Sequence, residues 1–278
     1  MKTVFFGIPT ADAEVLRSQL ASTDVLFFEE GITPETLLAA QGAEIISVFV
    51  GSAVTKETID ALPQLKLIST RSVGYDHIDT VYAAEKNITI CSVPAYGTHT
   101  VAEFAFALIL ALSRNIIAAH RRVHNEGSFD QTGLMGLDLF GKTLGVIGTG
   151  KIGKNVARIG HGFGMRVVCY DLFPDIAFTK EVDAIYTNLE ELLGQSDVIS
   201  LHTPYTKETH HLLNTSTFEK VKRGALLINT ARGELVETKA LVAALQSGLL
   251  SGAGLDVFEE ERQLKDVEGV LSSGTTPE

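Results

Sequence analysis

The segment Gly148-Thr149-Gly150-Lys151-Ile152-Gly153 has the glycine spacing G-x-G-x-x-G, and Asp171 follows 18 residues after its last glycine. That combination suits one task, the binding of a dinucleotide. Gly148 makes a tight turn, Gly150 lets the backbone approach a pyrophosphate, and Gly153 lets a helix pack close on a strand. The helix N-terminus offers N–H groups and partial positive charge to the phosphates, with Lys151 and Ile152 as further candidates in its first turn. The carboxylate of Asp171 is suited to accept hydrogen bonds from the adenosine ribose hydroxyls. A glycine-rich turn alone says little, so the flanking pattern decides. Gly141–Asp171 reads as a strand over Thr143–Ile147, the glycine turn, a helix from Lys151 to about Gly162, and a strand over Arg166–Tyr170 that ends in the acid. This is the context that a dinucleotide site requires.

Strand and helix patterns alternate along the rest of the chain. Strand-like runs occur at Thr3–Phe6, Val25–Phe28, Ile45–Val50, Leu67–Thr70 and Ile88–Cys91, with helical stretches at Asp12–Ala21, Pro34–Ala40, Lys56–Ala61 and Val81–Lys86 between them. Past the glycine motif, strands are expected at Ala184–Thr187, Val198–Leu201, Leu226–Asn229 and Gly252–Leu255. Helices at Leu189–Leu193, Thr215–Lys220 and Lys239–Ser247 separate them. Such alternation predicts α/β architecture, doubly wound parallel sheets covered on both faces. Because the glycine motif lies mid-chain, residues 1–96 form a unit of their own and residues 97–278 the dinucleotide-binding domain. A long helix from about His99 to Ala119, apolar nearly all round, is expected to join the two and to be buried between domains or in a dimer interface.

Composition bounds the partners. The chain has 278 residues, 45% of them hydrophobic, and a formal net charge of −11. That balance argues against binding nucleic acid or a membrane surface through bulk electrostatics. The only two cysteines, Cys91 and Cys169, lie far apart in apolar runs and read as two buried free thiols of a reducing compartment, with neither a disulfide nor a metal site. The N-terminus lacks a signal-peptide pattern, and Glu103 and Arg114 interrupt the most apolar stretch, Val101–Ala119. A cytoplasmic protein is expected.

Several separate segments resemble the D-isomer-specific 2-hydroxyacid dehydrogenase family, in its order and approximate spacing. They are Arg71–Asp79 (RSVGYDHID), Tyr96–Glu103 (YGTHTVAE), the glycine motif, Asp197–Pro204 (DVISLHTP), Ile228–Gly233 (INTARG) and Gly254–Glu261 (GLDVFEEE). The resemblance runs from the first strand to about residue 261 and is most similar to the D-lactate dehydrogenase branch. It implies two doubly wound parallel-sheet domains, a substrate domain and a Rossmann NAD-binding domain. It also implies transfer of hydride between a nicotinamide and the 2-carbon of a small 2-oxo or 2-hydroxy acid. By the same resemblance, Arg232 binds the substrate carboxylate and polarises its carbonyl, a task suited to a fixed two-pronged cation. The backbone amides of Val73 and Gly74 hold the other side of that carboxylate, and Phe49 and Tyr96 cover its methyl end. Thr203 and Pro204 wall the adenine, with Thr209 on the same cofactor-side loop. Thr230 and Ala231 lie beneath the ribose, and Asp256 meets the nicotinamide side. Glu261, 29 residues after Arg232, matches the acid that orients a catalytic histidine. A homodimer through the 99–119 helix region is implied as well.

One departure stands out. The family's proton donor is a histidine in a P-H segment tens of residues beyond that glutamate, and none of the eight histidines, at positions 77, 99, 120, 124, 161, 202, 210 and 211, lies in such a segment. The chain therefore reads as truncated at its C-terminus, without the return to the first domain, and its turnover is expected to be slow, since a positioned general acid contributes ~10²–10⁴ in rate. The competing reading is an NADH-sensing binding protein on the same fold with little turnover. NAD is expected over NADP, because Asp171 would oppose a 2′-phosphate with like charge and Leu172, Phe173 and Pro174 supply no cation.

Overall fold

The computed structural model describes residues 1–20 and 24–259, which divide into two compact units, one of residues 1–96 and one from Gly97 onward. In the first unit five short strands, β1 (Lys2–Phe5), β2 (Asp24–Phe27), β3 (Ile45–Val48), β4 (Leu67–Thr70) and β5 (Thr89–Cys91), pair in the order β2-β1-β3-β4-β5. Every pair is parallel. Parallel neighbours need crossovers, here α1 (Thr10–Gln19), α2 (Pro34–Ala39), α3 (Lys56–Asp60) and α4 (Thr80–Glu85). Local chemistry starts three of these helices. Thr33 and Thr36 form a reciprocal capping box with Pro34 at the first helical position, and the Thr55 and Asp79 side chains accept from Thr58 and Tyr82 N–H. Val4, Phe6, Ile46, Val48 and Ile68 form the buried centre of this unit.

The second unit opens with α5 (Thr98–Ser113) and α6 (Ile116–Glu126), then β6 (Thr143–Ile147), α7 (Lys151–Gly162) and β7 (Arg166–Tyr170). There follow α8 (Ile176–Val182), β8 (Ile185–Tyr186), α9 (Leu189–Gln195), β9 (Val198–Leu201) and α10 (Thr215–Phe218). Last come β10 (Ala225–Asn229), a 3₁₀ turn over Gly233–Leu235, α11 (Thr238–Gln246) and β11 (Leu250–Leu255). The six strands are parallel in the order β11-β10-β9-β6-β7-β8, so the chain starts in the middle and winds first one way, then the other. That is the dinucleotide-binding order, whose ligands lie outside the carboxyl ends of the strands where the winding reverses. Both faces are covered. Val167 and Cys169 pack with Phe106 and Ile109 of α5 and Val156 of α7, while the intervening Val168 packs with Leu192 and Leu193 of α9. Strands buried on both faces are continuous apolar runs, as the sequence has them.

Some expectations need correction. The single helix expected over His99–Ala119 is two helices bent by 61°, because Asn115 takes the left-handed conformation at φ 52°. α5 buries Ala102, Ala105, Phe106 and Ile109, whereas α6 buries no residue, and Ile116 and Ile117 are exposed. Among the described residues no single helix is long and apolar enough to cross a membrane. Helix α8 is an addition to the elements expected. Asp175 starts it by accepting from the N–H groups of Ala177 and Phe178. Of the two cysteines, Cys169 is buried but Cys91 is exposed, because it ends β5 at the edge of its sheet.

Candidate cofactor and substrate site

Physical necessity sets two of the three motif glycines. Gly148 follows β6 at φ +92°, and a Cβ there would sit 2.7 Å from the His202 carbonyl carbon and the Thr203 nitrogen. Gly153 faces back across the turn, where a Cβ would fall 1.9 Å from the Gly148 carbonyl oxygen. Gly150 differs, since none of the described residues lies within 4 Å of the position its Cβ would take. The backbone there is open toward a ligand at the N-terminus of the 12-residue helix α7, where anions are favoured.

The other candidates of this unit sit at the carboxyl ends of neighbouring strands. Asp171 follows β7, Thr203, Pro204 and Thr209 follow β9, Thr230, Ala231 and Arg232 follow β10, and Asp256 follows β11. The fold thus brings Gly148, Gly150, Lys151, Ile152, Gly153 and these residues to one edge of the sheet. Thr203 and Thr230 each bury a hydroxyl oxygen that has no hydrogen-bond partner among the described residues. A buried polar group without a partner is costly, so two such groups at the ends of adjacent strands mark a surface built to meet a polar ligand. The Asp171 carboxylate is not bare. Thr149 donates to Oδ2 from its N–H at 2.6 Å and its hydroxyl at 2.9 Å, and Phe173 N–H donates to Oδ1 at 2.9 Å.

Asn229 braces the loop that carries Arg232. Its Oδ1 accepts from Ala231 N–H at 3.1 Å, its Nδ2 donates to the Arg232 carbonyl at 2.8 Å, and its own carbonyl accepts from Asp256 N–H. Arg232 donates from Nη1 to the Ala231 carbonyl at 2.7 Å. A residue not anticipated, Glu259, ties the segment after β9 to the start of α11. Its Oε1 lies 2.5 Å from His211 Nε2, and its Oε2 accepts from the N–H and hydroxyl of Thr238 at the start of α11. Desolvation works to raise this carboxyl, but the bonds from His211 and Thr238 outweigh it and hold it below the usual range. In sequence Glu259 is one of three consecutive glutamates, and its partner is 48 residues away, so only the structure singles it out. Glu261, expected as a catalytic residue, lies outside the described residues.

In the first unit, Phe49, Val73 and Gly74, and Tyr96 follow β3, β4 and β5 respectively. The winding of this sheet reverses between β1 and β3, and a cavity of about 630 Å³ opens there, lined by Gly7, Ile8, Pro9, Asp12, Phe49 and Arg71 among others. Of the four substrate candidates only Phe49 lines it. Arg71 is a further residue that the sequence pattern did not single out. Its Nη2 donates to the carbonyls of Phe6 and Gly7 at 2.8 and 2.7 Å and its Nη1 to Ser47 at 3.0 Å, fixing the turn that forms one wall. Burial lowers its pKa. A buried chain of Ser72, Thr70 and His77, with Ser72 also donating to the Gly74 carbonyl at 2.6 Å, shapes the loop of Val73 and Gly74.

A doubly wound sheet with an open glycine turn, an acid just past the next strand and unpartnered hydroxyls following β9 and β10 defines a dinucleotide-binding class of protein. Residues 106–272 match the NAD binding domain of the D-isomer specific 2-hydroxyacid dehydrogenases. The chain is 41% identical over 244 residues to a 2-hydroxyacid dehydrogenase homolog of Zymomonas mobilis, covering 87% of this chain and 73% of that protein. It is 39% identical over 268 residues to the D-lactate dehydrogenase of Escherichia coli, covering 95% and 81%. A crystal structure of D-lactate dehydrogenase from Aquifex aeolicus, complexed with NAD and lactic acid, superposes with a TM-score of 0.90 at 42% identity, covering 99% of this chain and 81% of that one. The chain belongs to the D-isomer specific 2-hydroxyacid dehydrogenase family, NAD-dependent oxidoreductases. Its residues fit NAD, as the open Gly150 and the unpartnered Thr203 and Thr230 hydroxyls require.

Proposed function

We propose that this chain interconverts a small, pyruvate-like 2-oxo acid and the corresponding D-2-hydroxy acid. The observation that carries the reading is the braced arginine. Arg232 leaves β10 on a loop tied down by Asn229, at the same sheet edge as the open glycine turn. Similarity to enzymes named D-lactate dehydrogenase supports the lactate-like end of the range. NAD supplies the hydride acceptor or donor. The chain's own residues bind and orient: the glycine turn and the α7 N-terminus bind the phosphates, and Asp171 accepts from the adenosine ribose. Thr203, Pro204 and Thr209 border the adenine, Thr230 and Ala231 underlie the ribose, and Asp256 meets the nicotinamide end. Arg232 holds the substrate carboxylate in two-pronged fashion and offsets charge on the forming alkoxide. Phe49, Tyr96, Val73 and Gly74 are the proposed substrate contacts of the first unit.

The test separates binding from turnover. Oxamate binding to the NADH complex should weaken about 10–100-fold in Arg232→Lys, the worth of one lost charge-assisted hydrogen bond. NADH affinity should stay at its starting value. An unchanged oxamate dissociation constant would remove Arg232 from the site. NADH-linked reduction of pyruvate to the D-isomer, assayed by chiral analysis of the product, checks the reaction itself; NADH binding with no reduction of any 2-oxo acid would favour a sensor. We also propose a homodimer through the 99–119 region, where Ile116 and Ile117 are exposed, to be checked by sedimentation equilibrium.

A further inference from the structure

The bonds at Asp171 continue away from it. The Thr149 hydroxyl, which meets Asp171 Oδ2 at 2.9 Å, lies 2.8 Å from the Tyr186 hydroxyl, and the Tyr186 oxygen accepts from Asp175 N–H at 3.1 Å. The proton positions are dictated. A carboxylate only accepts, so the single hydroxyl proton of Thr149 goes to Asp171. The Thr149 oxygen is then the acceptor toward Tyr186, which spends its own proton there and takes the Asp175 N–H on its oxygen. All donors point one way, from the start of α8 through β8 and the glycine turn into the carboxylate, an arrangement in which each bond polarises the next. The chain is anchored at its origin, because Asp175 caps α8 and lies 2.5 Å from Lys154 Nζ. At its end Thr149 is 5% exposed.

We propose that Thr149 and Tyr186 are specificity-determining residues of the cofactor site. Two donors from Thr149 occupy Oδ2 and turn it inward to the glycine turn, while Oδ1, with one bond from Phe173 N–H, keeps acceptor capacity for a ribose hydroxyl. Discrimination between a 2′-hydroxyl and a 2′-phosphate then depends on a carboxylate that is held in place. A carboxylate free to rotate away yields room to a phosphate, whereas a pinned one meets it with like charge. The proposal rests on the reading that Asp171 meets the adenosine ribose.

Dissociation constants of NADH and NADPH, measured by titration on the whole chain, test both levels. Thr149→Val keeps size and the backbone N–H but deletes the relay hydroxyl, and Tyr186→Phe deletes the next one. Each should weaken NADH binding about 2–10-fold, on the order of the net worth of one intramolecular hydrogen bond, with NADPH unchanged or tighter, so that the ratio narrows. Thr149→Ser should keep the starting ratio. If Thr149→Val and Tyr186→Phe keep the ratio while Asp171→Ala narrows it, the relay has no part in specificity and the proposal is overturned. Equal weakening of both cofactors, together with earlier unfolding of the cofactor-free protein, would mark a merely structural role and also overturn it. If Asp171→Ala leaves the ratio unchanged, the ribose reading itself fails and takes the proposal with it.

Discussion

His202 packs its backbone carbonyl against Gly148 and sets its ring Nε2 2.8 Å from the Ser200 hydroxyl. Burial pushes the imidazole down to about 3, although part of the residue still reaches solvent. The ordinary histidine value is near 6.5. Between those two values the unfolded chain carries a proton that the folded chain refuses, so stability rises with pH across the window. Stability should therefore be full above about pH 6.5 and fall as the medium is acidified toward 3. The loss amounts to a few kcal/mol, since each pH unit within that window is worth about 1.4 kcal/mol. Denaturant unfolding at pH 7 and pH 5 checks this: His202→Asn should lose less stability between the two than the parent. Equal losses would show that another group drives the acid sensitivity.

At the scale of elements, the break between α5 and α6 is set by one residue. Asn115 adopts φ 52° and donates from Nδ2 to the Met135 carbonyl at 3.2 Å, tying the bend to the loop ahead of β6. Asparagine tolerates this conformation, whereas a β-branched residue pays roughly 1–2 kcal/mol for it. Asn115→Val should lower the melting temperature of the second unit by about 2–8 °C, at roughly 2–4 °C per kcal/mol. Asn115→Gly should lose less, because only the Met135 bond goes. Calorimetric scans of the three proteins decide it, and a straightened helix that melted no earlier would contradict the assignment of the bend to Asn115.

For the whole molecule, cofactor linkage should stop at the unit that binds it. A ligand at 100 times its dissociation constant adds about 2.7 kcal/mol to the state that binds it. Hydrogen exchange with saturating NADH should slow at the glycine turn and at the ends of β9 and β10, while the centres of β1, β3 and β4 exchange as before. Equal protection in both units would mean that they open as one. Much of this layout was legible in the chain. A strand, a glycine turn, a helix and a strand ending in Asp171 are contiguous, so short-range pattern suffices to place them. What escaped depends on long range or on a single backbone angle. Ser113-Arg114-Asn115 interrupts the apolar run only briefly, and a short polar break does not by itself announce the left-handed angle that makes the bend. Tyr186 is 37 residues from Thr149 and Glu259 is 48 from His211, distances at which no local pattern signals a hydrogen bond. Cys91 sits in an apolar run like that of Cys169, and only its place on the outermost strand leaves it exposed.

The strand order of the second unit also sets a timetable for its synthesis. β6 is buried along its whole length, and its partner on one side, β7, is supplied soon afterwards, with Leu144 pairing Val167. Its partner on the other side is β9, where Leu144 pairs Val198, 54 residues later in the chain. At about 5–20 residues per second of translation, one edge of this fully buried strand waits roughly 3–10 s for its neighbour. During that interval the nascent chain presents a flat, hydrophobic β-edge of the kind that recruits other chains. Helix α9 is made only just before β9, so it shields one face of that edge for little of the interval and cannot satisfy its backbone. The winding order that builds the cofactor crevice thus leaves the same seam open while the protein is being made.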